Sequence, residues 1–315
     1  MAAPHTPLRP GGGVGGAPAD GRPGGPAEDA RILGAEDLGA ALEVCYAEPV
    51  ASVLAASRLE IAARAGFTAA GGQAWGFPAS GPPEAVCWAG ANLVPVVPRA
   101  LGRAGQAAAT AAFASLARSQ GRRSSSIVGE RDAALGLWDA LEAHWPAPRE
   151  VRCDQPSMAI SRGSDVAPDP ALRRSTLAEL DIVLPACVRM FTEEVGYSPV
   201  AGGGGPYVQR VRSLIADGRS FIRTERTPRG RDTVAFKAEV GAVAGTVAQI
   251  QGVWVDPMYR GRGWAVPGMS AVVGAVRESI APVVSLYVNS YNERAIATYR
   301  HVGFEQVGTF ATVLF

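Results

Sequence analysis

Apolar positions in the first half of the chain recur at helical spacing in some segments and in short strand-like runs in others. The helical spacing predicts helices over residues 38–44, 49–59, 107–119 and 132–143. The short apolar runs predict strands over residues 86–89, 93–96 and 124–128. Helices therefore come first in this half, and strands and helices follow in a mixed order.

The second half shows a longer series of the same two patterns. Helices are predicted over residues 177–195, 206–216, 267–279 and 294–301, and Pro185 is expected to interrupt or restart the first of them. Strands are predicted over residues 220–225, 234–243, 247–255, 283–288 and 307–314. Two helices, three strands, and then helix, strand, helix and strand indicate an α/β fold on a mixed (α+β) sheet, because a doubly wound parallel sheet would alternate throughout.

Composition divides the chain into four parts. Residues 1–30 are rich in Gly and Pro and are expected to form a disordered tail. The remaining length is enough for two domains, which we expect at 31–155 and 171–315. Between them, residues 156–170 are polar and contain Gly and Pro, so they are predicted to be a linker.

Charge and cysteine usage exclude several classes of function. The net charge of +1 gives no field that would favour nucleic acid or an anionic membrane, and no apolar run reaches the roughly 18 residues of a membrane span. The four cysteines lie far apart and there are only three histidines. We therefore expect neither a metal site nor disulfides, and a reducing cytoplasm is the expected location.

A glycine loop after the predicted strand 247–255 is the most informative segment. It reads Asp-Pro-Met-Tyr-Arg-Gly-Arg-Gly-Trp-Ala over residues 256–265 and leads into a helix. Backbone N–H groups and the positive end of that helix can converge on an anion there, and Gly261 and Gly263 allow close approach. Arg260 and Arg262 add positive charge. A surface turn with solvated arginines is the alternative.

The loop is neither a Walker A sequence nor Gly-x-Gly-x-x-Gly, which argues against nucleotide hydrolysis and dinucleotide redox chemistry.

A second motif follows about thirty residues later, and together the two resemble the GNAT acyltransferase superfamily. Arg260-x-x-Gly263-x-Ala265 is similar to its pyrophosphate loop, and Asn292-x-x-Ala295-x-x-x-Tyr299 with Gly303-Phe304 is similar to its second coenzyme A segment. The resemblance covers about 145 residues. It implies acetyl-CoA as co-substrate and a slot between the strands 247–255 and 283–288. The implied cofactor-binding residues are Val253, Trp254, Val255, Arg260, Gly261, Arg262, Gly263, Trp264, Ala265, Asn289, Asn292 and Tyr299.

Tyr299 is the main catalytic candidate, because the family often uses a tyrosine there to protonate the leaving thiolate. The alternative is a core tyrosine whose hydroxyl merely finds a partner. The general base is open, because the strand 247–255 carries Gln249 and Gln251 but no acid. The candidates are Glu239, the pair Glu193 and Glu194, or a water molecule, and the alternative for each acid is a solvated surface position. We expect direct transfer to a small-molecule, peptide or protein amine.

The first half resembles a poorly characterised domain that precedes a GNAT domain in some bacterial proteins. We interpret it as a degenerate, GNAT-like half that shapes the acceptor site or a homodimer contact, and we assign it no pyrophosphate loop. An independent packing domain is the alternative. For the whole protein, the alternatives to an N-acetyltransferase are a coenzyme A-binding scaffold without catalysis and a phosphate-binding protein unrelated to acyl transfer.

Overall fold

A computed structural model describes residues 29–315, so the predicted tail lies outside the described residues except for its last two positions. The first half contains the strands β1 (Arg31–Ile32), β2 (Gly72–Phe77), β3 (Ala85–Gly90), β4 (Asn92–Val96), β5 (Ser126–Glu130) and β6 (Glu150–Ile160). Its helices are α1 (Leu38–Tyr46), α2 (Pro49–Ala70), α3 (Gly102–Gln120) and α4 (Arg131–Asp139).

The second half repeats this order element by element. Its strands are β7 (Arg173–Arg174), β8 (Ser220–Arg226), β9 (Asp232–Ala244), β10 (Val247–Val255), β11 (Val283–Tyr287) and β12 (Glu305–Leu314). Its helices are α5 (Leu180–Val195), α6 (Gly205–Ala216), α7 (Ala265–Ser279) and α8 (Glu293–Val302). In each half three antiparallel strands follow two helices, and a crossover helix leads to a parallel strand. The mixed sheet predicted for the second half is confirmed, and it extends to the first.

The described strands form one sheet of twelve, in the order β1-β2-β3-β4-β5-β12-β6-β11-β10-β9-β8-β7. The order is unchanged if the two halves are exchanged, which reveals an internal pseudo-twofold. At its centre the two halves exchange strands: β12 pairs with β5 and β6, and β6 pairs with β12 and β11. The last strand of each half therefore completes the sheet of the other.

The strand β6 corrects the predicted linker, because residues 156–160 belong to it. Met158 pairs with Leu286 on one side and Gln306 on the other, and it is fully buried. Gln155, the residue before the predicted linker, is also buried in β6, where it donates to Asn289 Oδ1 (2.9 Å) and accepts from the Thr312 hydroxyl (2.7 Å). The segment predicted as a linker therefore begins inside a buried strand.

Two helix predictions also need correction. α5 continues through Pro185, where a restart was expected, and the neighbouring Ala186 and Cys187 are fully buried. Their packing offsets the one amide hydrogen bond that proline cannot make. α2 extends to Ala70, beyond the predicted end, although Gly66 (φ 85°) breaks its regular geometry.

One hydrophobic core at the start of the chain joins the two halves. α1 and α2 of the first half pack against Ala242, Ala244 and Val247 at the β9–β10 turn of the second half. The N–H of Gly245 in this turn donates to the Glu60 carboxylate of α2 (2.7 Å). Within residues 29–315, no helix is long and apolar enough to cross a membrane.

Candidate functional site

A slot opens where β10 and β11 part. The two strands pair in parallel only from Val247 to Gln249, opposite residues 283–285. Beyond that point β11 continues along β6, while β10 continues along β9. The unpaired ends of two parallel strands leave their facing edges free, and this is the slot that the resemblance implies.

A β-bulge interrupts β10 beside this slot. The register with β9 shifts between Gln251 and Trp254, so Gly252 and Val253 have no partner on β9. Gly252 has φ 61°, a conformation that disfavours residues with a Cβ. The bulge thus takes Gly252 and Val253 out of the regular ladder with β9.

The glycine loop carries a row of unbonded amides. Asp256 caps the turn after β10 through the Met258 N–H (3.0 Å) and pairs with Arg189 (3.0 Å). Within residues 29–315, no protein acceptor receives the N–H groups of residues 261–264, which lead into α7. Gly261 (φ 78°) and Gly263 (φ 76°) have open space where a Cβ would be. Four free donors at the positive end of a 15-residue helix make a site for an anion such as a diphosphate.

The two loop arginines have different surroundings. Arg260 binds the Glu193 carboxylate (2.6 Å) and donates to the Val255 carbonyl (3.0 Å), so its charge is already compensated. The Arg262 guanidinium stacks on Tyr259 (5.1 Å) and Trp264 (5.4 Å) and forms no ion pair with any described residue. Of the two, Arg262 is therefore the better placed to meet a phosphate.

Trp254 on β10 and Trp264 in the loop both pack against other side chains of the protein. Arg223 stacks on Trp264 at 3.7 Å, and Tyr259 stacks on it at 5.4 Å, which fixes the ring at the start of α7. The Trp254 side chain is buried against α5, and its indole N–H donates to Glu193 (3.2 Å). Only the backbone of Trp254 remains available to a ligand along β10.

Comparisons with known proteins agree with this geometry. The model of the acetyltransferase (GNAT) family matches residues 222–304, which include the bulge, the loop and Tyr299. The second half of the chain carries a GNAT domain. A family described as a domain of unknown function (DUF4081) matches residues 72–183, as expected from the resemblance of the first half. No curated protein matches the sequence.

Solved structures show that the GNAT fold extends over both halves. A Drosophila protein is 13% identical with a TM-score of 0.60, and the match covers 91% of this chain and 98% of that chain. A GCN5-related N-acetyltransferase from Sphaerobacter thermophilus is 20% identical (TM-score 0.51; 90% and 95% covered). A tandem GNAT protein from the clavulanic acid biosynthesis pathway is 14% identical (TM-score 0.51; 91% and 98% covered). At these identities the likeness concerns the fold.

Tyr299 of the GNAT domain lies on α8 with 7% of its surface exposed, edge-to-face with Phe304 (5.9 Å). Its hydroxyl has no hydrogen-bond partner among the described side chains. Burial raises its pKa well above the usual range, and the charge of Glu194 adds to the effect. The phenol therefore stays protonated and can donate to a ligand.

The candidate bases lie in opposite environments. Glu194 lies on α5 and is half exposed, with its carboxylate 3.6 Å from the Arg152 guanidinium. Burial raises the pKa of Tyr287, and the charge of Glu194 adds to this rise. Glu239 is buried; alone, burial would raise its pKa, but the Lys237 ammonium at 2.7 Å and the Cys187 thiol hold it below its usual range. Protonating Glu239 would leave Lys237 buried without a counter-charge, which disfavours Glu239 as a proton acceptor.

The two asparagines have structural contacts. Asn292 caps α8 by accepting from the Ala295 N–H (3.2 Å), and Asn289 accepts from Gln155 of β6. Cys187 is fully buried, and burial raises its pKa to about 12, which makes it unsuitable as a nucleophile.

The first half contains a counterpart of the glycine loop that sequence reasoning missed. Arg99-x-x-Gly102-x-Ala104 follows β4 with the same spacing as the loop after β10, and Gly102 has φ 65°. Here the Gly102 N–H donates to the Arg99 carbonyl. Glu130 caps α4, and its carboxylate lies 3.5 Å from the Arg99 guanidinium. A carboxylate at this position would repel a diphosphate, which supports the interpretation of a degenerate half.

Proposed function

We propose that the GNAT domain transfers an acetyl group from acetyl-CoA to an amine by direct attack within a ternary complex. The observation that carries the proposal is the slot beside the unpaired stretch of β10, with the free amides of residues 261–264 at its end. The pantetheine arm contains amides and can pair with β10 near Val253 and Val255 as an added strand. The diphosphate then lies at the start of α7, beside Arg262.

The residues around the slot supply the proton transfers. The amine nitrogen attacks the thioester carbon, the carbon–sulfur bond breaks, and the proton of the amine passes to Glu194, directly or through water. Val253 lies in the bulge, outside the register with β9, and its N–H is the donor that we assign to the oxyanion. Tyr299 donates its proton to the sulfur and regains one from solvent. The burial that disfavours a phenolate equally disfavours a bare thiolate, so this transfer remains feasible despite the raised pKa of Tyr299.

A coenzyme A-binding scaffold is the second candidate. It is favoured by the lack of a free carboxylate on β10 and by the pairing of Glu239 with Lys237. In that case the slot and loop bind the ligand, and no acceptor reacts.

Calorimetry followed by an acceptor screen tests these proposals. Acetyl-CoA should bind more tightly than ADP, since the pantetheine arm adds contacts along β10, and thiol release should depend on an added amine. Binding without acceptor-dependent thiol over amines, peptides and proteins would favour the scaffold. Equal affinity for ADP and acetyl-CoA would contradict both proposals and indicate a simple phosphate site.

A further inference from the structure

Behind the β10 bulge lies a buried group of charges that none of the roles above uses. Lys237, the only lysine of the chain, has a fully buried side chain. Its ammonium lies 2.7 Å from Glu239, donates to the Gly252 carbonyl (3.0 Å) and contacts the Met190 sulfur (3.5 Å). The ammonium therefore donates a hydrogen bond to a backbone oxygen of the bulge.

Stability alone does not account for such a pair. Removing two charges from water costs several kcal/mol per ion, and well-packed apolar residues of similar volume often serve a fold as well or better. Burial alone lowers the pKa of Lys237, but the Glu239 carboxylate outweighs it and raises the pKa, so Lys237 remains an ammonium. What the pair adds is a fixed, charged donor pointing at the Gly252 carbonyl.

The direction of that carbonyl determines where the next amide points. In a planar trans peptide the C=O and the following N–H point in opposite directions. Since the Gly252 carbonyl is held toward Lys237, the Val253 N–H points away from the buried pair. Gly252 permits this turn with φ 61°, and a Cβ there would lie 3.1 Å from Lys237 Nζ.

We infer that Lys237 is a positioning residue for acyl transfer, which fixes the Gly252–Val253 peptide so that the Val253 N–H is presented to the thioester oxygen. Glu239 keeps the lysine charged and in place. This inference rests on the proposed function, because it assigns the Val253 N–H to the oxyanion. It also gives Glu239 a role other than that of the base.

The neutral double variant K237M/E239Q tests the inference, since it removes both charges together. Its matched control is M190L, which removes the sulfur contact of the lysine nitrogen and leaves the ion pair and the donor to the Gly252 carbonyl in place. We expect kcat to fall about 10- to 100-fold in the double variant, because one oxyanion donor is misdirected, with KM and coenzyme A affinity within about twofold of wild type. M190L should retain most of the turnover.

Carbon-13 NMR of acetyl-CoA labelled at the carbonyl gives a second measurement that needs no acceptor. The bound carbonyl resonance should shift toward its free position in K237M/E239Q and remain near the wild-type position in M190L. K237L/E239Q provides another neutral pair if the first does not fold.

Three results would overturn the inference: wild-type kcat in a folded double variant, an unchanged carbonyl resonance in that variant, or an equal loss in M190L, which would trace the loss to disturbed packing. If wild type binds acetyl-CoA but no amine reacts, the proposed function fails, while the NMR comparison still decides the role of Lys237.

Discussion

Gly263→Ala separates the conformational role of the loop from its role in binding. Gly263 has φ 76°, where a residue with a Cβ costs about 1–2 kcal/mol. No protein atom lies within 4 Å of the position that the new Cβ would take, so no internal clash adds to this cost. Relief of the strain requires a change in φ, which turns the neighbouring amides away from the anion. Each N–H bond to a charged phosphate contributes about 1.5–3 kcal/mol, so we expect coenzyme A affinity to fall about 10- to 100-fold.

Gly71→Ala is the matched control. Gly71 has the same φ of 76°, equally open surroundings, and lies at the end of α2 in the first half. Both variants should lose similar stability in chemical denaturation, and only Gly263→Ala should lose affinity in calorimetry. Acetyl-pantetheine, which lacks the diphosphate, should not distinguish Gly263→Ala from wild type. An affinity within twofold of wild type, or an equal loss in the control, would refute the assignment of these amides to the diphosphate.

Four further measurements test other parts of the structure. Tyr299→Phe should lower kcat on the order of 10²-fold with unchanged coenzyme A affinity; unchanged turnover would remove Tyr299 from the mechanism. Calorimetry should give one coenzyme A per chain, because Glu130 faces the loop of the first half, and two would show that this half also binds. The hydrogen bonds of Arg173 lower the pKa of Glu179 from 4.5 to about 2. The corresponding stability is present above pH 4.5 and lost toward pH 2, so E179Q should unfold in acid with a weaker pH dependence over that window. The fragment 171–315 lacks β6 and should not unfold cooperatively, whereas 147–315 should recover more native structure; equal behaviour would contradict the shared sheet.

Local patterns were sufficient to predict much of the second half. The strand 247–255 agrees with β10 residue for residue, and the glycine loop and the helix of Tyr299 lie where their motifs indicate. These features depend on spacing within short segments, where turn chemistry and helix capping act locally. The first half was predicted less completely. β2 was missed because Gly72-Gln-Ala-Trp-Gly-Phe has two glycines and no strict alternation.

Long-range pairing explains the remaining differences. Ser157 looks like a linker residue until β11 and β12 of the second half flank it on both sides. Lys237 and Glu239 lie two positions apart on a strand, and Glu239 was a candidate base because the neighbouring strand 247–255 carries no acid. Only the contact with α5 shows that both are buried, since the Cys187 thiol and the Met190 sulfur close over them. No periodicity within β9 carries this information.

The exchanged strand also connects the first half to the site. β11 forms one wall of the slot, and beyond Ser285 its pairing is with β6 of the first half, not with β10. Asn289, just after the end of β11, accepts a hydrogen bond from Gln155 of β6. The angle at which β11 leaves β10 is therefore determined by sheet pairing across the two halves. A first half that binds no ligand would still be required for the slot, because without β6 the strand β11 loses its only sheet partner beyond Ser285 among the described residues.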